Sequence, residues 1–440
     1  MVHHPSAVCP RVTDAERITV LVPFTERTRR WNLLRSHQWS VVEVIRLTTE
    51  DPDIVGYGET VPLYTWGRVP EESLRAVRGA NPAGFLGDDT LGAGLQQAVY
   101  DVVGKTLGVP MHTLLGRSQV REACPISWWS NDMPPEVLAA EAQDALAAGY
   151  LSHKFKARPW FCVYEQVERV SAVTPPYYTL DLDWNQMLLD VGRAAPVLRR
   201  LDGYERIGIY ETPIRQQRYT DYRRLRDKAS HPIADHAKMT TTPESLPRTL
   251  PDSIAAEALD GYVVSGGVSA VIEQAILIGA ANRTMWLQLV GTGITTAYAV
   301  QLGAVLPAAT WPAVTCMNIY TAQLLRTPIA VEGGYTAVPD APGLGVDVDE
   351  DALERLRMTP GDGPEPYQRD YPGLYLTVDW PGGRRRYYDG IDQLWEDAFA
   401  GNIPVQEPGV RLDIQLEGEV EDYPAIKARV ARSPLWAAVP

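Results

Sequence analysis

The stretch LSHKFKARPW (151–160) places Lys154 and Lys156 one residue apart, with Arg158 just beyond, in a chain whose formal net charge is -14. Side chains two apart on a strand share a face, so both ammonium groups point the same way. Three acids follow in series, Asp183, Glu211 and Asp235, each interval roughly 24 to 29 residues, enough for one strand, one helix and two loops. Carboxylates brought together without a cation repel one another and rise in pKa, and a divalent ion removes that penalty. Hard oxygen donors with no competing Cys/His cluster suit Mg²⁺, which is held by few carboxylates and keeps positions open for water and substrate oxygens. A lysine crowded by a second ammonium and a divalent ion is lowered in pKa and can serve as a base. Each residue also has an ordinary alternative: the acids as loop or capping residues, the lysines as solvated strand ends lying past Phe155 and Trp160.

The elements that must position these groups are legible as pattern. Residues 17–22 (RITVLV) and 40–48 (SVVEVIRLT) alternate apolar and polar, predicting an antiparallel pair joined by a long loop. After GYGETVP, the segment LGAGLQQAVYDVVGKTLG has helical spacing. From about residue 123, short apolar runs alternate with helical stretches: CPISWW, HKFKA, YTLDLDW, RIGIYETPI, PIADHA, LDGYVVSGG, TMWLQLVG and AVTCMNIY. Strands alternating with helices predict βαβ units, and eight runs match a (β/α)₈ barrel, whose carboxyl-terminal mouth would collect the lysines and the acids. The segment 365–440 is rich in Pro, Tyr, Trp and charge, with a hairpin expected at DWPGGRRRYY.

Composition narrows the class. At 440 residues, 45% hydrophobic and 22% charged, the chain reads as an ordinary globular protein larger than one average domain. No apolar run approaches the about 18 residues needed to span a membrane, and the opening MVHHPSAVCP has no secretory pattern. Four scattered cysteines without CxxC spacing predict a reducing, cytoplasmic setting. A pI near 5.1 argues against a nucleic-acid partner.

Taken together, GYGETVP (56–62), DVVGKTLGVPMHTLLGR (101–117), Lys154-Phe155-Lys156, DWNQ (183–186), YETPI (210–214), PIADH (232–236), SGGVS (265–269) and PGLGVDVD (342–349) resemble, in order, the enolase superfamily in its mandelate racemase and muconate lactonizing enzyme branch. The resemblance implies an α/β fold: an α+β capping domain over residues 1–122, a modified TIM barrel over 123–345, and a return to the cap with a β-rich extension over 346–440. It also implies Mg²⁺ on Asp183, Glu211 and Asp235, Lys156 as the base taking a proton α to a carboxylate, and Lys154 as its electrostatic partner. A small-molecule carboxylate substrate and a homo-oligomer are expected on the same ground.

Departures shape the expected reaction. Gly261 stands five residues before the GG pair, where many relatives carry a lysine, and Gln288 and Gly291 stand where a histidine and a glutamate often occur. His236 replaces a second acid after Asp235, as an acid/base, a ligand, or a histidine hydrogen-bonded near the metal. A one-base dehydratase, eliminating water from a hydroxy acid in syn fashion, is therefore expected. A cycloisomerase or epimerase is the second reading, and a metal-binding homologue without turnover the third. The early loop, with Arg27, Arg29, Arg30, Trp31 and Arg35, is expected to close over the mouth, or to be a solvated basic loop. Tyr64, Trp66 and Trp128, together with Asn185, Gln288 and Asn318, are the remaining expected substrate contacts. Only one of Trp128 and Trp129 can point inward, and buried structural tryptophans are the plain alternative.

Overall fold

The alternating segments at the N-terminus form β1 (Val12–Leu21) and β2 (Val41–Thr49), paired antiparallel with Ile18 opposite Val44, and β3 (Val55–Thr60) adds to the far edge of β2. The computed structural model describes residues 9–64, 67–216, 218–237, 249–359, 371–430 and 437–438. The expected long loop between β1 and β2 contains a short helix, Glu26–Asn32, and a 3₁₀ turn, His37–Ser40. Both are anchored by burial of Thr28, Asn32, His37 and Gln38. The helix Ala93–Leu107 covers the sheet, with Leu95, Ala98, Val99 and Val102 packed on Ile45 and Leu47.

The next run, CPISWW, divides in two. Its first half is β4 (Ala123–Pro125) and its second is β5 (Trp128–Ser130). Then follow β6 (Ser152–Lys156), β7 (Thr179–Asp183), β8 (Ile207–Glu211), β9 (Ile233–His236), β10 (Gly261–Val264) and β11 (Thr284–Leu287). Strands β5 to β11 make one seven-stranded parallel sheet in sequence order. Helices alternate with these strands, and the strands are buried on both faces, as a parallel sheet between helices requires. The sheet is curled in the manner of a modified TIM barrel.

The eighth run, AVTCMNIY, is not a strand. Residues 313–315 instead span the gap with single bridges: Ser127 N donates to Ala313 O at 2.9 Å and Leu289 N to Val314 O at 3.1 Å. A longer ladder is blocked because Cys316 is left-handed at φ 59 and the 3₁₀ turn Met317–Ile319 follows at once. Strand β4 pairs antiparallel with β12 (Tyr335–Ala337), outside the parallel sheet.

The C-terminal hairpin is present as β13 (Leu374–Trp380) and β14 (Arg384–Asp389), turning through Gly382 and Gly383. With β15 (Arg411–Leu416) and β16 (Ala437–Ala438) they form a sheet ordered β15-β13-β14-β16, accompanied by the helix Gly390–Ala400. Among the described residues no helix is long and apolar enough to cross a membrane.

Candidate active site

Parallel pairing sets the lysines and acids side by side. Lys156 is opposite Asp183, Asp183 opposite Glu211, and Ala234, just before Asp235, opposite Glu211. These are the carboxyl ends of β6 to β9, where parallel barrels open their mouths. Lys156 Nζ lies 2.5 Å from Asp183 Oδ2 and donates to Asn185 Oδ1 at 3.1 Å. Lys154 is buried deeper, with Nζ 2.5 Å from Glu211 Oε2, 3.6 Å from Asp183 Oδ2 and donating to Gln288 Oε1 at 2.5 Å. At 1% side-chain exposure, Lys154 is shut off from the open space that Lys156 lines.

The two lysines are driven in opposite directions. Burial lowers Lys154, but Glu211 and Asp183 outweigh it and hold the ammonium above its ordinary range. Burial also lowers Lys156, Asp183 opposes that, and the positive charges of Lys154 and Arg158 tip the balance downward. Burial would raise Asp183, yet Lys156, Lys154 and Arg158 depress it. Asp235 is raised by burial, which outweighs His236 and the donors Gln216 at 2.7 Å and Thr212 at 3.1 Å.

The donor set fits a hard divalent cation in chemistry. Oε1 of Glu211 is buried and receives no hydrogen bond, while Oε2 is held at 2.5 Å by the Lys154 ammonium. A buried carboxylate oxygen without a donor is costly unless a cation is supplied. Among the described residues, however, no set of three or more His, Cys or carboxylate side chains is gathered closely enough to hold a metal ion. The lysine ammoniums lie against Asp183 and Glu211 instead, neutralising the same charges.

Above these groups opens a cavity of about 620 Å³ that Lys156, Asp183, Asn185, His236 and Gln288 all line. His236 Nε2 is 3.5 Å from Glu211 Oε1. Tyr64 lies at the same mouth and accepts from Gln288 Nε2 at 2.7 Å. Trp66 lies outside the described residues. The backbone around the mouth is left-handed at Asn185 (φ 43), Gln186 (φ 75) and Thr212 (φ 44), conformations that cost energy and concentrate where geometry is held for function.

Four expected contacts stand elsewhere. Arg29 is exposed on its helix. Trp31 packs edge-on to Phe161 and faces a separate groove beside β15, because the short helix turns that face away from the mouth. Trp128 points outward, its indole nitrogen donating to Glu141 at 3.0 Å. Strand alternation sends Trp129 to the mouth in its place. Asn318 clamps the Trp129 backbone from behind, accepting from its N at 3.2 Å and donating to its O at 2.9 Å. Of the early arginines, Arg27 pairs with Glu141 and Asp144, Arg30 pairs with Glu419, and only Arg35 reaches the cavity.

The cavity also holds side chains to which the sequence alone assigned no site role. Trp39 packs against Tyr64 and Trp129 at ring separations of 4.5 and 5.3 Å, forming an aromatic wall. Arg158, 2% exposed, pairs with Asp132 at 3.1 Å and donates to Asn185 Oδ1 at 2.6 Å. Its place two residues after Lys156 was a usable signal; the approach of Trp39 and Asp132 had none.

The two glycines read as missing partners have local causes. Gly261 opens β10 opposite Ala234, and a Cβ there would lie 2.2 Å from the Trp311 ring. At Gly291 a Cβ would meet Thr295 Oγ1 at 2.4 Å and Glu59 Oε1 at 2.8 Å. That space belongs to Glu59 of GYGET, which accepts from Thr292 N at 2.6 Å and Thr295 N at 2.9 Å at the start of the helix Gly293–Gly303. The glutamate ties the N-terminal sheet to the barrel.

A family model described as "Enolase C-terminal domain-like" matches residues 137–352. D-galactonate dehydratase of Ralstonia nicotianae is 29% identical over 305 residues, covering 61% of this chain and 74% of that protein. D-gluconate dehydratase of Thermoproteus tenax is 25% identical over 368 residues, covering 74% of this chain and 72% of that protein. Among solved structures, muconate cycloisomerase of Pseudomonas fluorescens superposes with a TM-score of 0.64 at 21% identity, covering 80% of this chain and 99% of its own.

Proposed function

The chain belongs to the enolase superfamily, in its mandelate racemase and muconate lactonizing enzyme branch, and from that premise we propose that it is a Mg²⁺-dependent, one-base dehydratase of a hydroxy acid. Its relatives are dehydratases and cycloisomerases, so it is an enzyme. Members of the superfamily use Mg²⁺ and act on small-molecule carboxylates.

The observation that carries the reading is that Lys156 and His236 line one cavity to which β10 contributes no side chain: Tyr262, Val263 and Val264 are buried away from it and Gly261 has no side chain to offer. Asp183, Glu211 and Asp235, which are not gathered into one cluster while the lysine ammoniums lie against two of them, would have to draw together to hold the metal. When bound, the ion supplies positive charge to the substrate carboxylate as its α-carbon loses a proton. Lys156, neutral for part of the time because its pKa is lowered, takes that proton at Nζ. The electron pair left on the α-carbon forms the double bond to the β-carbon, and the β-hydroxyl departs as water with a proton from His236 Nε2. Lys154 holds Asp183 and Glu211 in place and keeps Lys156 from retaining its proton. Arg158 orients Asn185 against the base.

The test is incorporation of solvent deuterium. Metal-loaded protein should exchange the α-proton of a hydroxy acid and release water, and Lys156→Ala should abolish both; exchange that persists in Lys156→Ala moves the base elsewhere. Activity retained after dialysis against a chelator would refute the metal's role.

A further inference from the structure

The C-terminal residues, to which no role attaches by pattern, reach the reaction cavity through Trp395 on the helix Gly390–Ala400. Its side chain lines the same cavity as Lys156 and Asp183. Two guanidiniums lie over its ring, Arg35 at 3.9 Å and Arg158 at 4.8 Å from the centroid. Arg158 in turn donates to Asn185, which accepts from Lys156, so the ring is linked to the base through two side chains. The element is anchored to the barrel: Gln406, 3% exposed, accepts from Val163 N at 2.8 Å, and Arg215 Nη2 donates to Phe399 O at 3.2 Å. It lies beyond the family match, which ends at residue 352.

Resting on the proton-abstraction reading above, we propose that this element is a fixed wall of the substrate site and that Trp395 is its specificity-determining residue, receiving an aromatic ring at the end of the substrate remote from the carboxylate. Charge decides between an aromatic and an anionic remote group. Each guanidinium already faces a carboxylate, Arg35 3.5 Å from Asp392 and Arg158 3.1 Å from Asp132. A second substrate carboxylate would have to compete with those acids, and a flat ring would not. The aromatic wall of Trp39, Tyr64 and Trp129 lines the same cavity, so a ring would meet aromatic surface from both the N-terminal and C-terminal parts of the chain. A three-carbon hydroxy acid would leave most of the 620 Å³ filled with water.

The experiment compares 2,3-dihydroxy-3-phenylpropanoate with glycerate, binding to the full-length Mg²⁺-loaded protein being read by calorimetry and α-deuterium exchange in parallel. The protein should prefer the phenyl acid by about tenfold or more. Trp395→Leu should remove most of that preference and Trp395→Phe should keep most of it. A wild-type protein that prefers glycerate, or a leucine variant that keeps the phenyl preference, overturns the proposal. If the leucine variant does not fold, the ¹⁹F resonance of 5-fluorotryptophan at position 395, identified by its loss in Trp395→Phe, decides: it shifts on adding the phenyl acid, or the proposal falls. Binding through Trp395 without exchange refutes the dehydratase reading alone. Exchange without a preference that depends on Trp395 refutes this proposal alone.

Discussion

Replacing Lys154 by Met keeps the length and apolar stem of the side chain and removes its charge from between two carboxylates that are each 1% exposed. At an effective dielectric constant of about 20, the attraction across 2.5 Å to Glu211 is about 7 kcal/mol and across 3.6 Å to Asp183 about 5 kcal/mol. Desolvation of the ammonium offsets much of this, and removing one member of a buried ion pair typically costs about 3–5 kcal/mol. Metal-free Lys154→Met should therefore lose about 3–5 kcal/mol in urea unfolding. Because the folded pKa of Lys154 is raised, its contribution is fully present at neutral pH and is lost only as pH climbs through that raised value. Mg²⁺ supplies the missing charge, so saturating metal should stabilise the variant more than the parent. A loss under about 1 kcal/mol without metal, or equal stabilisation of both proteins by Mg²⁺, would refute the account of Lys154 as counter-ion to Asp183 and Glu211.

Two further outcomes follow from the same geometry. Because Lys156 is lowered, the rate of α-proton exchange should rise with pH and level off below the ordinary lysine value of about 10.4, and the limb should move upward in Lys154→Met, which removes one cause of the lowering; a limb at or above that value in the parent, followed by deuterium exchange, rules out Lys156 as the titrating base. The unfolded chain holds this proton more tightly than the folded one, so Lys156 makes stability increase with pH between the two values. Glu59→Ala strands Thr292 N and Thr295 N in the interior and should cost about 2–4 kcal/mol in urea unfolding, whereas a loss below about 1 kcal/mol would mean that this contact does not tie the sheet to the barrel.

The parts of the molecule legible in sequence are those governed by local periodicity. Alternation in residues 17–22 and 40–48 announced an antiparallel pair, and the recurrence of short apolar runs announced parallel strands with Lys156, Asp183 and Glu211 at matching ends. The same alternation stated that only one of Trp128 and Trp129 could face the mouth without saying which. Register across the sheet, a tertiary property, selected Trp129.

What sequence determined by itself was thus the strand-end chemistry: two lysines on one face and acids one βα unit apart, because period two and the βα repeat are properties of a single chain. Tertiary structure alone decided which distant segments share the cavity. Arg35 reaches it while Arg29 and Trp31 do not, since a short helix within the early loop turns them away. Trp39 enters through the fold of that loop, and Trp395 arrives from more than two hundred residues beyond the lysines. Gly261 and Gly291 likewise took their meaning from Trp311, Thr295 and Glu59, whose approach depends on packing between elements and leaves no periodic trace in the chain.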